Sequence, residues 1–247
     1  TDIGSNQAGS QNHIGDALAA AAAPAANNGL GAQTLTVSGA TGSSAIALAG
    51  GETAKAISDL VNAQSVTTGV TSTATNSVSF GTLSAAGTVT FDLYGSNSSA
   101  VAISATVGST SDLSALADAI NAKTSATGLT AELASNKASF TIKSADGYDI
   151  KIGNFNHSTA ASTVVAEGVT LTQGANDSLA VGGKLAFDSS TAFSLSTSSG
   201  TELLAAGTVG SSLASVGAMN IGTQSGASNA LARSEERRVG KECRMPC

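Results

Sequence analysis

The sequence predicts an α+β fold of duplicated β-β-α-β-β modules, with additional β structure and a short helix start at the C-terminal end. Three observations carry this. NAQSVTTGVTSTATNSVSF (Asn62–Phe80) returns as NAKTSATGLTAELASNKASF (Asn121–Phe140). Ahead of each copy one apolar face repeats at helical spacing, and on both sides residues alternate at strand spacing. Aromatics make up only 3% of the chain and Trp is absent. The core must therefore come from Ala, Val, Leu, Ile and a few Phe, which suits several small, elongated modules better than one thick globule.

Aligning Ala56–Phe80 with Ala115–Phe140 takes one inserted residue. Asp59, Asn62, Thr68, Gly69, Asn76 and Phe80 recur as Asp118, Asn121, Thr127, Gly128, Asn136 and Phe140. Val61/Ile120 and Val70/Leu129 are chemically similar pairs. A long period with one supersecondary unit per copy marks a repeated module.

The elements follow in order. Residues 1–30 read as an Ala-rich connector, with a short helix stopped by Pro24. Residues 31–84 form the first module. QTLTVSG and SAIALAG are strands, Thr53–Gln64 is a helix with Ile57, Leu60 and Val61 on its apolar face, and GVTSTA and SVSFG are two further strands. Residues 85–155 form the second. TVTFDLYG and AVAISATV precede a helix whose Leu113, Leu116, Ala117 and Ile120 fall at i, i+3, i+4 and i+7. Thr110 or Ser111 caps it, Asp112 and Lys123 suit its dipole, and Gly128 follows in a turn conformation. GLTAEL and ASFTIKS then pair through a turn near Ser135–Asn136, and SADGYDIKI adds a hairpin at Asp146-Gly147. Each helix must lie on its sheet to bury its face. Residues 156–210 are polar and strand-rich, and 211–232 carry the helix start.

The tail is foreign to the rest. The net charge of −6 divides into −8 on residues 1–232 and +2 on 233–247, and every Arg and both Cys lie in that tail. Arg233–Cys243 (RSEERRVGKEC) resembles the in-frame translation of a sequencing-adapter oligonucleotide, so 233–247 is set aside as non-native. An acidic body without basic patches argues against nucleic-acid and anionic-membrane partners. A body without Cys has no disulfide framework. No apolar stretch is long enough to span a bilayer. The chain opens at Thr1 without Met, so the true N-terminus is expected upstream.

Chemistry is not legible in any pattern. His13 and His157 each stand alone in polar sequence, without the spacing of a zinc site. Asp146 and Asp149 flank a turn and fit turn chemistry with a solvated strand; a calcium loop needs more carboxylates at alternating positions. GANDSLAVGGKLA resembles a phosphate-binding loop only superficially, because Leu185 follows Lys184 where Ser or Thr belongs. No Ser lies in G-x-S-x-G, and the carboxylates are scattered. The expectation is no catalytic, cofactor-binding or metal-binding residue, no cofactor and no enzymatic activity. Asn97, Asn156 and Asn176 begin N-x-S/T triplets of the kind a Ser-rich chain yields by chance.

The stretch LADAINAKTSATGLTAEL…SADGYDIKI resembles the flagellin IN motif, with Ile120-Asn121 as its name-giving pair; the first copy departs to Val61-Asn62. GVTLTQGANDSLAVGGKLAFDSSTAFSLS is similar to the outer-domain segment of bacterial flagellins. SVGAMNIGTQSGASNALA (Ser215–Ala232) resembles the point where flagellins return to a long inner-domain helix, with Thr223 as N-cap and Ala227 and Leu231 on one face. The resemblance covers roughly residues 30–232. It implies an elongated, outer-domain fold and a secreted, extracellular location in the flagellar filament. It also implies a structural subunit that self-assembles through inner coiled-coil helices missing here. Its partners would be other copies of itself, and its Ser- and Thr-rich surface admits O-linked glycans. Alternatives are a hook-associated or filament-capping protein, or a Ser/Thr-rich surface adhesin.

Overall fold

A computed structural model describes residues 4–15, 18–20 and 23–215. Within them the chain is mostly antiparallel β-sheet with four short helices. Two apolar cores form, one in each unit.

The first unit opens with the hairpin β3 (Gln33–Ser38) and β4 (Ser43–Leu48). These lie in a four-stranded sheet with β15 (Ser194–Thr197) and β16 (Thr208–Gly210). Helix α1 (Ala54–Ala63) starts at Thr53, whose side chain accepts from the Ala56 amide at 3.2 Å, an N-cap of the usual kind. It buries Ala54, Ile57, Ser58 and Val61. Leu60, expected on the apolar face, is 41% exposed; Ser58 takes the buried position and donates to the Ser72 carbonyl. The short α2 (Ser65–Thr68) ends at Gly69, whose φ of 69° is the left-handed conformation that Gly adopts without strain.

The second unit opens with the hairpin β6 (Gly87–Tyr94) and β7 (Val101–Val107). Its five-stranded sheet runs β2 (Leu18–Ala20), β13 (Ser178–Val181), β10 (Ile150–His157), β6, β7. Helix α3 (Ser114–Asn121) buries Leu116, Ala117 and Ile120. It begins later than the expected cap at Thr110 or Ser111: the Asp112 carboxylate accepts from the Ser114 amide at 3.0 Å instead. After α4 (Thr124–Thr127) and Gly128, β8 (Leu129–Leu133) and β9 (Ser139–Ser144) form the expected hairpin. Asn136 Oδ1 accepts from the Ala138 amide in its turn.

The first unit departs from this plan. GVTSTA and SVSFG do not form a hairpin but run as one strand, β5 (Thr71–Gly81). The reason is in the residues: TSTATNSVSF alternates without interruption, and its burial alternates with it. The second copy carries Ser135-Asn136-Lys137 at the corresponding place, and Lys137 takes φ 58° in the turn. Strand β5 pairs with β14 (Lys184–Ser189) over Thr71–Thr75 and with β9 over Asn76–Gly81. It therefore belongs to both units. Ala74 lies in one core, and Val78 and Phe80 in the other. Phe80 stacks on Phe140 at 4.9 Å between ring centroids.

Three further expectations are corrected. SADGYDIKI turns at Gly147 (φ 78°) but makes no hairpin, because β9 pairs with β8 and β5 whereas β10 pairs with β6 and β13. The Ala-rich N-terminal stretch contributes strand β2 against β13 rather than a helix; edge pairing overrides the helix propensity of Ala. Strand β1 (Gly4–Gly9) pairs with β14 and with β17 (Ser212–Ser215), so strand stands where the helix start was expected from residue 211. Thr223, Ala227, Leu231 and the tail 233–247 lie outside the described residues.

Candidate functional site

The residues that recur between the copies join each helix to the strand after it. In the second unit, Asn121 Nδ2 donates to the Ala131 carbonyl at 2.9 Å, and the Ala131 amide donates to Asn121 Oδ1 at 2.7 Å. In the first, Asn62 Nδ2 donates to the Ser72 carbonyl and the Ser72 amide to Asn62 Oδ1, both at 2.8 Å. A carboxamide presents a donor and an acceptor side by side, as a neighbouring strand would. Among the described residues strand β8 pairs with β9 alone, so Asn121 satisfies backbone groups on its otherwise open edge.

The Thr-Gly pair repeats as closely. Thr68 Oγ1 donates to the Gln64 carbonyl at 3.1 Å and accepts from the Val70 amide at 3.2 Å. Thr127 Oγ1 makes the same two bonds, to Lys123 and Leu129, at the same lengths. Gly69 and Gly128 follow at φ 69° and 68°. Asn76 and Asn136 are aligned in sequence but differ in structure. Asn136 shapes a turn, while Asn76 is buried mid-strand and donates to the carbonyls of Tyr148 and Val181. That bond to Tyr148 and the bond from the Lys55 amide to the Gly147 carbonyl tie the β9–β10 crossover to the first unit.

The singled-out titratable residues sit apart. His157 is buried, between the Ala85 carbonyl and the Thr159 amide. His13 bridges the Gly182 carbonyl and Glu167. Asp149 is not solvated: it is 4% exposed, accepts from Asn28 Nδ2 at 3.1 Å, and burial pushes its carboxyl up to about 6 against the opposing Asn28 bond and Lys151 charge. It borders a 430 Å³ cleft with Pro24, Thr53, Tyr94, Asn97 and Lys151. Thr53 serves there as the helix cap, and Asn97 is bonded to the backbone of Leu93, Gly95 and Ser99. Lys184 begins β14 and is exposed, and Leu185 is buried. Asn156 Oδ1 accepts from Gln173, and Asn176 is exposed. Among the described residues no three His, Cys, Asp or Glu gather as a metal site would require, and no helix is long and apolar enough to cross a membrane.

Sequence reasoning named Asn62 and Asn121 as recurring but gave them no role. The signal was their place: each lies in the last turn of a helix, ten residues before the residue it grips.

These elements define a β/α module in which an Asn in the last turn of the helix is clamped to the following strand. Residues 88–146 match the family model of the flagellin hook IN motif. No curated protein matches the chain. Among solved structures it is similar, at 12% identity and a TM-score of 0.22, to the D1-D2-D3 domains of the flagellar cap protein FliD from Escherichia coli; the match covers 80% of this chain and 56% of that one. The chain thus spans little more than half the length of that structure.

Proposed function

We propose that this chain is the surface-facing outer part of a bacterial flagellin, a structural subunit of the extracellular flagellar filament that acts in swimming motility and catalyses nothing. The observation that carries the reading is the IN motif over residues 88–146. The same Asn clamp and Thr-Gly turn in the first unit support two copies of one module. The shared strand β5 suits a mechanical role, because it couples the two cores through continuous backbone pairing rather than through a flexible linker. Self-assembly would run through helical inner segments outside this region, with copies of the same protein as partners. Glycans on the exposed Ser and Thr are compatible with the surface.

Sequencing the intact gene outward from this region tests the reading. Long heptad-patterned helices on both sides, with helix-forming codons in place of RSEERRVGKEC after Ala232, are the expected result. Further β repeats and a wall or membrane anchor would overturn it in favour of an adhesin.

A further inference from the structure

The cleft beside Asp149 gathers polar groups that the fold leaves unpaired. Asp149 is 4% exposed, and its Oδ1 accepts from Asn28 Nδ2 at 3.1 Å. Asn28 is fully buried and is fixed in turn, donating to the Glu52 carbonyl and accepting from the Leu30 amide, both at 3.0 Å. The carboxylate is therefore held in one orientation. Its Oδ2 has no hydrogen-bond partner among the described residues, and no Lys or His there forms an ion pair with it. A carboxylate so far removed from water keeps a strong demand for donors, and the only open side is the cleft that it lines.

The other walls supply donors. Lys151 and Tyr94 are paired directly across β10 and β6, so their side chains emerge side by side on one face. The Lys151 ammonium donates to the Ala26 carbonyl at 2.5 Å, which leaves two of its three N–H groups. The Tyr94 hydroxyl makes no hydrogen bond among the described residues. Thr53 Oγ1 accepts from the Ala56 amide and keeps its own proton to donate. Pro24 closes one side, close enough to Gly153 that a Cβ there would meet its Cδ at 2.8 Å. Two other clefts are built differently. In one, His13 is already bonded to the Gly182 carbonyl and to Glu167, in the turn between β11 (Thr163–Ala166) and β12 (Val169–Thr172). In the other, Lys55 pairs with Asp59 at 2.8 Å. The carboxylates that line them, Glu202, Asp59 and Asp146, are half-buried or exposed, so neither holds a desolvated acceptor.

The charges of the Asp149 cleft cancel, one carboxylate against one ammonium, so the cleft as a whole favours neither a cation nor an anion. The ligand group that suits both is a hydroxyl, which donates to Asp149 while it accepts from Lys151. A volume of 430 Å³ is that of a small-molecule site, and the Tyr94 ring offers an apolar face beside the polar groups. We propose that this cleft binds a neutral sugar, one or two pyranose units of a glycan, with Asp149 accepting from its hydroxyls and Lys151, Tyr94 and Thr53 donating to them. Such binding is independent of filament assembly, so its failure and the failure of the filament reading are separate results.

The test is amide NMR of the full chain titrated with the neutral methyl pyranosides of glucose, galactose, mannose and N-acetylglucosamine, and separately with glycine as a zwitterion and methylammonium as a cation. About a dozen ligand heavy atoms at ordinary efficiency correspond to a dissociation constant on the order of 1 mM. At least one pyranoside should therefore give saturable shifts at Thr53, Tyr94, Gly95 and Lys151. Asp149→Asn keeps the shape and the bond from Asn28 but turns a donor toward the cleft, and should weaken that binding about tenfold or more. Tyr94→Phe keeps the ring and loses the hydroxyl, and should weaken it by about threefold to fivefold. Spectra unchanged away from the cleft show that both variants are folded. No saturable shift with any pyranoside, the same shifts with glycine or methylammonium, or undiminished binding by Asp149→Asn would overturn the proposal.

Discussion

The clamp makes unequal demands on its two copies, and the inequality can be measured. Replacing Asn121 by Ala removes two bonds and leaves both the amide and the carbonyl of Ala131 without a partner on the open edge of β8. Ala131 is 9% exposed, so water does not readily take the place of the side chain. With each lost or unmet bond worth about 1–2 kcal/mol, the substitution should cost about 2–4 kcal/mol. In the first copy the Ser72 carbonyl also accepts from Ser58 Oγ at 2.8 Å, so Asn62→Ala leaves only the Ser72 amide unmet. Its cost should be about 1–2 kcal/mol. The second copy has Ala117 at the position of Ser58 and lacks this reserve. The double change Asn62→Ala with Ser58→Ala should therefore bring the first copy's cost up to that of Asn121→Ala. Urea unfolding followed by circular dichroism reads these differences, and for a chain of this size Asn121→Ala should lower Tm by roughly 6–12 °C. An Asn121→Ala protein within about 0.5 kcal/mol of wild type, or a larger loss for Asn62→Ala, would refute the reasoning.

Other predictions rest on other parts of the fold. Phe80→Ala should cost about 3–5 kcal/mol, and a double-mutant cycle with Phe140→Ala should return a coupling of about 0.5–1.5 kcal/mol from the stacked rings. Asp149 is held up to about 6 from 3.8 by burial, so its favourable contribution is complete below the unfolded value and is lost as pH rises through about 6. Asp149→Asn should therefore stabilise the protein at pH 7 by up to about 3 kcal/mol, and the gain should vanish near pH 4 in denaturant titrations run at both values. With no cluster of metal-ligating residues among those described, a chelator should leave the melting curve unchanged; a large fall in Tm would mean that a site was overlooked.

What the sequence disclosed follows from how local each cause is. Helices α1 and α3 were legible because Ile57, Val61, Leu116 and Ile120 mark one face at helical spacing, and the glycines after them because a left-handed turn favours that residue. The β8–β9 hairpin was legible from Ser135-Asn136. The single strand β5 was within reach, since the first copy never breaks its alternation, but the likeness of the two copies argued for two hairpins. Two features had no local signal. The pairing of Phe80 with Phe140 and of β1 with β14 joins residues far apart in the chain, and side-chain alternation gives each strand's buried face but not its neighbour. His13 meets Gly182 and Glu167, Asp149 meets Asn28, and His157 meets the Ala85 carbonyl, all far away in the chain, so polar neighbours in sequence said nothing of their burial. The recurring Asn was visible as a letter, and its clamp only once the strand lay beside it.

The most direct test of the account is immunogold electron microscopy on cells that encode this protein, with antibody raised against residues 85–155. Gold along the full length of the flagellar filaments is the predicted result. Gold confined to filament tips would assign the chain to a cap, and gold on the cell body would assign it to an adhesin; either would contradict the filament reading.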